Sequence, residues 1–155
     1  MEHQLAITSN NLQVQHISQE WKKNLTKFNN EEQQILEVKY ADKPFYKLTE
    51  REKIFTIGEL TLNINVITGW KILDDEKLQE ILDKQFELFL IENFKTLNKA
   101  EILFAFRKYG HTVENWGKSL NLVLIGNVLR QYETQRGLVS EYEERIGQNL
   151  AENLL

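Results

Sequence analysis

Three times in this sequence an Asn or Thr stands three residues ahead of a Gln or Glu at the mouth of an apolar stripe. The pairs are Asn30 with Gln33, Thr49 with Glu52, and Asn98 with Glu101. Such a pair satisfies two otherwise unpartnered backbone N–H groups of a first helical turn, so each predicts a helix start. The chain has 155 residues and one proline, Pro44, so little in it interrupts a long helix. Pro44 biases Lys43 away from helical geometry and marks a break between an N-terminal third and the rest.

Apolar spacing fills in the elements between these signals. Leu12, Val14, Ile17, Trp21, Leu25 and Phe28 follow a loose helical period, although the alternation Leu12-Gln13-Val14-Gln15 also suits a short strand. The Asn30 box opens a helix through Ile35, Leu36 and Val38 to about Tyr40. The Thr49 box opens another through Ile54, Phe55, Ile57, Leu60 and Leu62. Its tail, 60–66, alternates with period two and reads as strand on pattern alone. Helix is preferred there, because the box and first two turns are strong and no partner strand is evident. Asp74 or Asp75 caps a helix with Leu78, Ile81, Leu82, Phe86 and Phe89 on one face. The Asn98 box opens a helix through Ile102, Leu103, Ala105 and Phe106 that ends at Gly110, a natural C′ residue. Leu120, Val123, Leu124, Val128, Leu129 and Tyr132 form a further stripe stopping near Gly137, and a last helix carries Tyr142, Ile146 and Leu150. The expected fold is all-α: a single-domain bundle, 1–155, of about six helices with a break near Pro44.

Composition excludes several classes of chemistry. Cysteine is absent, which removes disulfides, thiolate metal sites and a cysteine nucleophile. The start, Met1-Glu2-His3-Gln4, lacks the basic and apolar regions of a secretory leader, and the best apolar run, 86–91, is short and contains Glu87. A cytoplasmic protein with no membrane partner is expected.

Constellations that resemble active centres fail on spacing. Gly117-Lys118-Ser119 looks like the end of a phosphate-binding loop, but position 112 is Thr where that loop needs glycine. A turn followed by an N-cap at Ser119 explains the triplet. His3, His16 and His111 stand at no metal-binding spacing, and His111 reads as a solvated turn residue. The paired carboxylates Asp74-Asp75-Glu76, Glu80 with Asp83, and Glu143-Glu144 sit on outward faces, with Glu80–Lys84 as one helical ion pair. Ser9, Ser18, Ser119 and Ser140 lack the glycine frame of a nucleophile elbow. The residues point to no catalytic role and to no cofactor.

Charge is unevenly placed. Segment 99–136 carries six cations, Lys99, Arg107, Lys108, Lys118, Arg130 and Arg136, against Glu101, Glu114 and Glu133. It also holds Tyr109, His111, Trp116 and Tyr132, and arginine with tyrosine and tryptophan dominates interface energetics. Arg107, Lys108, Tyr109, His111, Trp116 and Lys118 are therefore the candidate partner-binding residues. Segment 74–92 is the counterpart, with seven acids against Lys77 and Lys84. Asp74, Asp75, Glu80, Asp83 and Glu87 form a second candidate surface, suited to a basic partner. Direct nucleic-acid binding is disfavoured by the net charge of −4, because phosphate affinity comes mainly from clustered cations.

The string Ala100-Glu101-Ile102-Leu103-Phe104-Ala105-Phe106-Arg107-Lys108-Tyr109-Gly110, then Trp116-Gly117-Lys118-Ser119-Leu120-Asn121 and Ile125-Gly126-Asn127-Val128-Leu129-Arg130-Gln131-Tyr132, resembles small helical proteins of phages and mobile elements in the Bacteroidota. Some proteins of that kind are linked to replication roles such as helicase loading. The shared pattern is a Glu-x-x-x-Ala-Phe helix, a glycine turn, an aromatic-glycine turn and a Val-Leu-x-x-Tyr helix, covering the last third of the chain. The resemblance implies a non-enzymatic accessory protein that binds a protein partner in nucleic-acid processing. The alternative is an inhibitor of a host defence nuclease, similar to anti-CRISPR proteins, working by surface complementarity through the acidic helix.

Overall fold

The computed structural model describes residues 21–153, with side chains over 22–149. Five α-helices follow one another: α1 Asn30–Lys39, α2 Glu50–Thr68, α3 Glu76–Asn93, α4 Lys99–Tyr109 and α5 Leu122–Asn153. A 3-10 segment, Trp21–Lys27, kinked at the non-helical Asn24, precedes them, and single 3-10 turns lie at Phe45–Lys47 and Gly110–Thr112. The fold is all-α, with no strand among the described residues. The strand alternative at Leu12-Gln13-Val14-Gln15, most of the first helical stripe, His3 and His16 lie outside them.

Contacts divide the chain into two compact units, the chain through Ala41 with Arg136 onward, and Asp42–Gln135. The chain passes between the units at Ala41–Asp42 and again at Gln135–Arg136.

In the terminal unit, α1 starts one residue earlier than its motif suggests. Asn29 is the N-cap, its Oδ1 accepting from Glu32 N–H at 2.8 Å while Glu32 Oε1 accepts from Asn29 N–H at 2.9 Å. Gln33, the expected box partner, donates instead to the carbonyls of Leu25 and Phe28 at 3.0 and 2.9 Å, closing the preceding 3-10 helix. A carboxylate suits the positive helix start better than an amide, which favours the Glu32 register. Phe28, Ile35, Leu36, Val139 and Ile146 form the apolar centre of this unit, and Phe28 meets the Tyr142 ring edge-on at 5.4 Å. Lys39 Nζ donates to Ser140 Oγ and Glu143 Oε1, and the Tyr40 hydroxyl donates to the same carboxylate at 2.8 Å.

In the central unit, α2 starts as expected: Thr49 and Glu52 make both bonds of the capping box. The period-two run at 60–66 is helical throughout. Leu60 and Ile64 are buried while Leu62 and Val66 face out, so residues four apart share a face and helix can satisfy this alternation. Ile54, Phe55 and Leu62, expected in the core, are exposed; Ile57, Leu60 and Ile64 take that place. α3 is capped by Asp75, whose Oδ1 accepts from Lys77 and Leu78 N–H. Phe86 and Leu90 are its buried anchors, whereas Leu78 and Ile81 of the expected stripe are about half exposed.

Helix α4 ends at Gly110 as the sequence suggests, whereas two readings of α5 differ from the structure. Gly110 is right-handed at φ −62°, and the chain runs on for one 3-10 turn. Gly137 does not stop a helix: α5 is continuous through it. Val139 and Ile146 beyond it are buried, and that burial outweighs the ~1 kcal/mol a mid-helix glycine costs. The N-cap of α5 is Asn121, not Ser119, with its Oδ1 accepting from Val123 and Leu124 N–H.

Candidate functional site

α4 is the rigid element beneath the basic segment. Its Asn98 box forms as expected, and Glu101 is fully buried. One carboxylate oxygen accepts from Asn98 N–H at 3.1 Å, and the other accepts from the equally buried Tyr132 hydroxyl at 2.5 Å. A buried carboxylate is tolerable when hydrogen bonds replace its water, and this one fixes α4 against α5 within the central unit. Ile102, Phe104, Ala105 and Phe106 bury the inner face of α4. Arg107 and Lys108 then fall in its last turn, where cations meet the negative end of the helix dipole.

Trp116 folds back over this helix end. Its ring stacks on Phe106 at 5.8 Å and meets Trp70 edge-on at 5.3 Å. The Trp70 indole N–H donates to the Trp116 carbonyl at 2.5 Å, and Lys71 N–H donates to the Lys118 carbonyl at 3.0 Å. Two loops 46 residues apart are thereby fastened side by side. Gly110 lets Trp116 approach closely, since a Cβ there would lie 3.3 Å from Trp116 Cζ2 and the ring would have to shift by a few tenths of an ångström. Gly117 turns the chain at φ +74°, a left-handed geometry that suits glycine, and Asn115 Oδ1 receives its N–H at 2.9 Å. Trp116 is thus half-buried: one side braces the loops, the other meets solvent.

Around this brace the cations stand outward. Lys71, Arg107 and Lys118 are exposed and Lys108 is half-buried. None of the four has an ion-pair partner among the described residues. His111 is exposed in the 3-10 turn, with Nδ1 3.0 Å from the Lys108 carbonyl. Tyr109 is half-buried and its carbonyl accepts from the Thr112 hydroxyl. Arg107, Lys108, Tyr109, His111, Trp116 and Lys118 are therefore drawn together around one helix end. Trp70 and Lys71 belong with them and escape sequence reasoning; a tryptophan directly after the helix-ending Gly69 was the only available signal.

Of the five acidic residues at 74–87, Asp74, Asp75 and Glu80 are exposed, Asp83 is half-buried and Glu87 is buried. Asp75 is committed to the helix cap, and Asp83 Oδ1 accepts from Gln79 at 2.9 Å. Glu87 is buried, 4% exposed, and it rather than Glu80 is the partner of Lys84, at 3.1 Å. Asp74 and Glu80 remain exposed.

Among the described residues, no cluster of three or more His, Asp or Glu could hold a metal ion, and no helix is long and apolar enough to cross a membrane. An open groove of about 460 Å³ beside the start of α2 is lined by Lys43, Arg51, Glu52, Phe55, Glu59 and Lys99. Most of its charge is spent internally, in the pairs Lys43–Glu52 at 3.3 Å and Lys99–Glu59 at 3.0 Å. No family model matches this chain, and no curated protein or solved structure is significantly similar to it.

Proposed function

We propose that this chain is a non-enzymatic binding module, an accessory protein of a phage or mobile element that engages a protein partner of nucleic-acid processing in the cytoplasm. The observation that carries this reading is the fastened loop pair. Trp70, Trp116 and Phe106 hold a rigid base, and Lys71, Arg107, Lys108 and Lys118 surround it without carboxylate partners among the described residues. Unpaired cations beside a half-exposed tryptophan are the components of an interface hot spot, and a pre-ordered loop loses little entropy on docking. The resemblance of 100–132 to replication-associated helical proteins supports the choice of partner class. A defence-nuclease inhibitor acting through the acidic helix has less support, because Asp75, Asp83 and Glu87 are already engaged within the fold.

The test is affinity capture from the native host, identification of the retained protein, and titration of the purified pair. Replacing Arg107 and Lys108 together by alanine is expected to weaken binding by about 2 kcal/mol, near thirtyfold, with unchanged far-UV circular dichroism. Full affinity in that double variant would place the contact elsewhere.

A further inference from the structure

Positive charge collects at the end of α4 with no carboxylate of the described residues to answer it. Lys71, Arg107 and Lys118 are exposed, Lys108 is half-buried, and none of the four is in an ion pair. They come from three stretches of sequence that the fold ties together inside one compact unit. Lys71 N–H donates to the Lys118 carbonyl at 3.0 Å, which sets the two lysines side by side. Trp116, two residues before Lys118, stacks at 5.8 Å on Phe106, the residue that precedes Arg107 and Lys108.

The dipole of α4 favours Arg107 and Lys108 in its last turn. It gives no such reason for Lys71 and Lys118, which lie in the loops after α2 and before α5. Like charges held near one another repel, and an anion from outside the chain relieves that repulsion.

Resting on the binding-module reading above, we infer that this cluster receives a short acidic segment of the partner protein, a run of aspartates and glutamates with one apolar side chain among them. The carboxylates answer the four cations. The apolar side chain meets the open side of Trp116 and Ile72, which follows Lys71 and is 51% exposed. An apolar contact ringed by charge pairs is the usual build of a specific interface.

The surroundings limit how long the anion can be. Asp74, Asp75 and Glu76 follow soon after Lys71, and Glu114 stands in the loop of Trp116 and Lys118. A nucleic-acid strand carries a phosphate at every nucleotide and runs on past the cations into these carboxylates. A short acidic segment ends before reaching them. The net charge of −4 also repels any polyanion that extends beyond the cluster.

The probe is a blocked acidic peptide of about eight residues with a central leucine, spanning roughly 26 Å when extended, titrated calorimetrically into the full chain. Exposed ion pairs each contribute little, so the expected dissociation constant is on the order of 100 μM at low salt, rising as salt is added. The same peptide with asparagine and glutamine in place of its acids is expected to bind at least about tenfold more weakly. Lys71→Glu/Lys118→Glu and, on the other stretch, Arg107→Gln/Lys108→Gln should each weaken the acidic peptide by at least about tenfold, with unchanged melting temperature. Equal binding of the amide peptide, full affinity in both double variants, or tighter binding of an oligothymidylate of equal charge overturns the inference. Peptide titration and partner capture fail separately. A captured partner that needs Arg107 and Lys108, without measurable affinity for the acidic peptide, overturns the acidic segment and leaves the binding module standing. Full capture by the Arg107→Ala/Lys108→Ala variant removes that reading and this inference with it.

Discussion

At the residue scale, one polar contact lies wholly in the core: Glu101 and Tyr132 are both fully buried and joined at 2.5 Å. Tyr132→Phe keeps the ring, which meets Phe104 edge-on at 5.8 Å, and removes one donor to a buried carboxylate. Leaving such an oxygen short of a partner costs about 1–3 kcal/mol, so urea denaturation should show that loss with an unchanged slope. Glu52 gives a contrasting case at the surface. The Thr49 N–H and hydroxyl, aided by Lys43, hold its carboxyl below the ordinary value of 4.5. A carboxyl lowered in the folded state adds stability above its unfolded value, and that contribution fades as pH falls through the folded one. Glu52→Gln should therefore shrink the stability difference from wild type as pH drops below 4.5, read as melting temperature against pH. A constant difference down to strongly acid pH would show that Glu52 contributes only as a neutral cap. These short-range pairs were legible because donor and acceptor are three residues apart. The Trp70–Trp116 contact was not: its partners are 46 residues apart, and no local pattern couples them.

At the element scale, the sequence located the helices better than their ends and faces. Thr49 with Glu52 and Asn98 with Glu101 mark the two starts correctly. The Asn30 with Gln33 motif is displaced by one residue, because Asn29 with Glu32 makes the same bonds with a charged partner. Faces were harder. Phe55, Leu62, Leu78 and Ile81 are as apolar as the core residues, so periodicity alone could not tell which of two apolar sides of α2 or α3 turns inward. Gly137 misled for a related reason: glycine ends helices, yet burial on both sides of a glycine carries a helix through it. The position is right-handed helix with open space around the missing Cβ. Gly137→Ala should therefore stabilise the chain by about 0.5–1 kcal/mol, seen as a higher melting temperature. A destabilised variant would mean that α5 bends or breaks there.

At the scale of the whole molecule, two compact units share one chain, and every candidate contact residue belongs to Asp42–Gln135. Within that unit, sequence reasoning found the cations after Phe106 but not the loop that completes them, because Lys71 is a single cation between Trp70 and Ile72-Leu73 and belongs to no basic cluster in sequence. The motifs at 100–132 cover α4, the Trp116 loop and the first part of α5, and leave out Trp70 and Lys71.

The central claim is that the loops carrying Lys71 and Lys118 act as one docking surface. Its most direct measurement is partner capture by a Lys71→Glu/Lys118→Glu variant beside the wild type, with thermal melts of both. Both side chains are exposed, so the melts should agree to within about 0.5 kcal/mol of stability. Capture of the proposed partner should fall by at least about thirtyfold and be most impaired at low salt, where charge reversal is least screened. Equal capture by the two proteins, with both folded, would contradict the claim and remove this face as the docking surface.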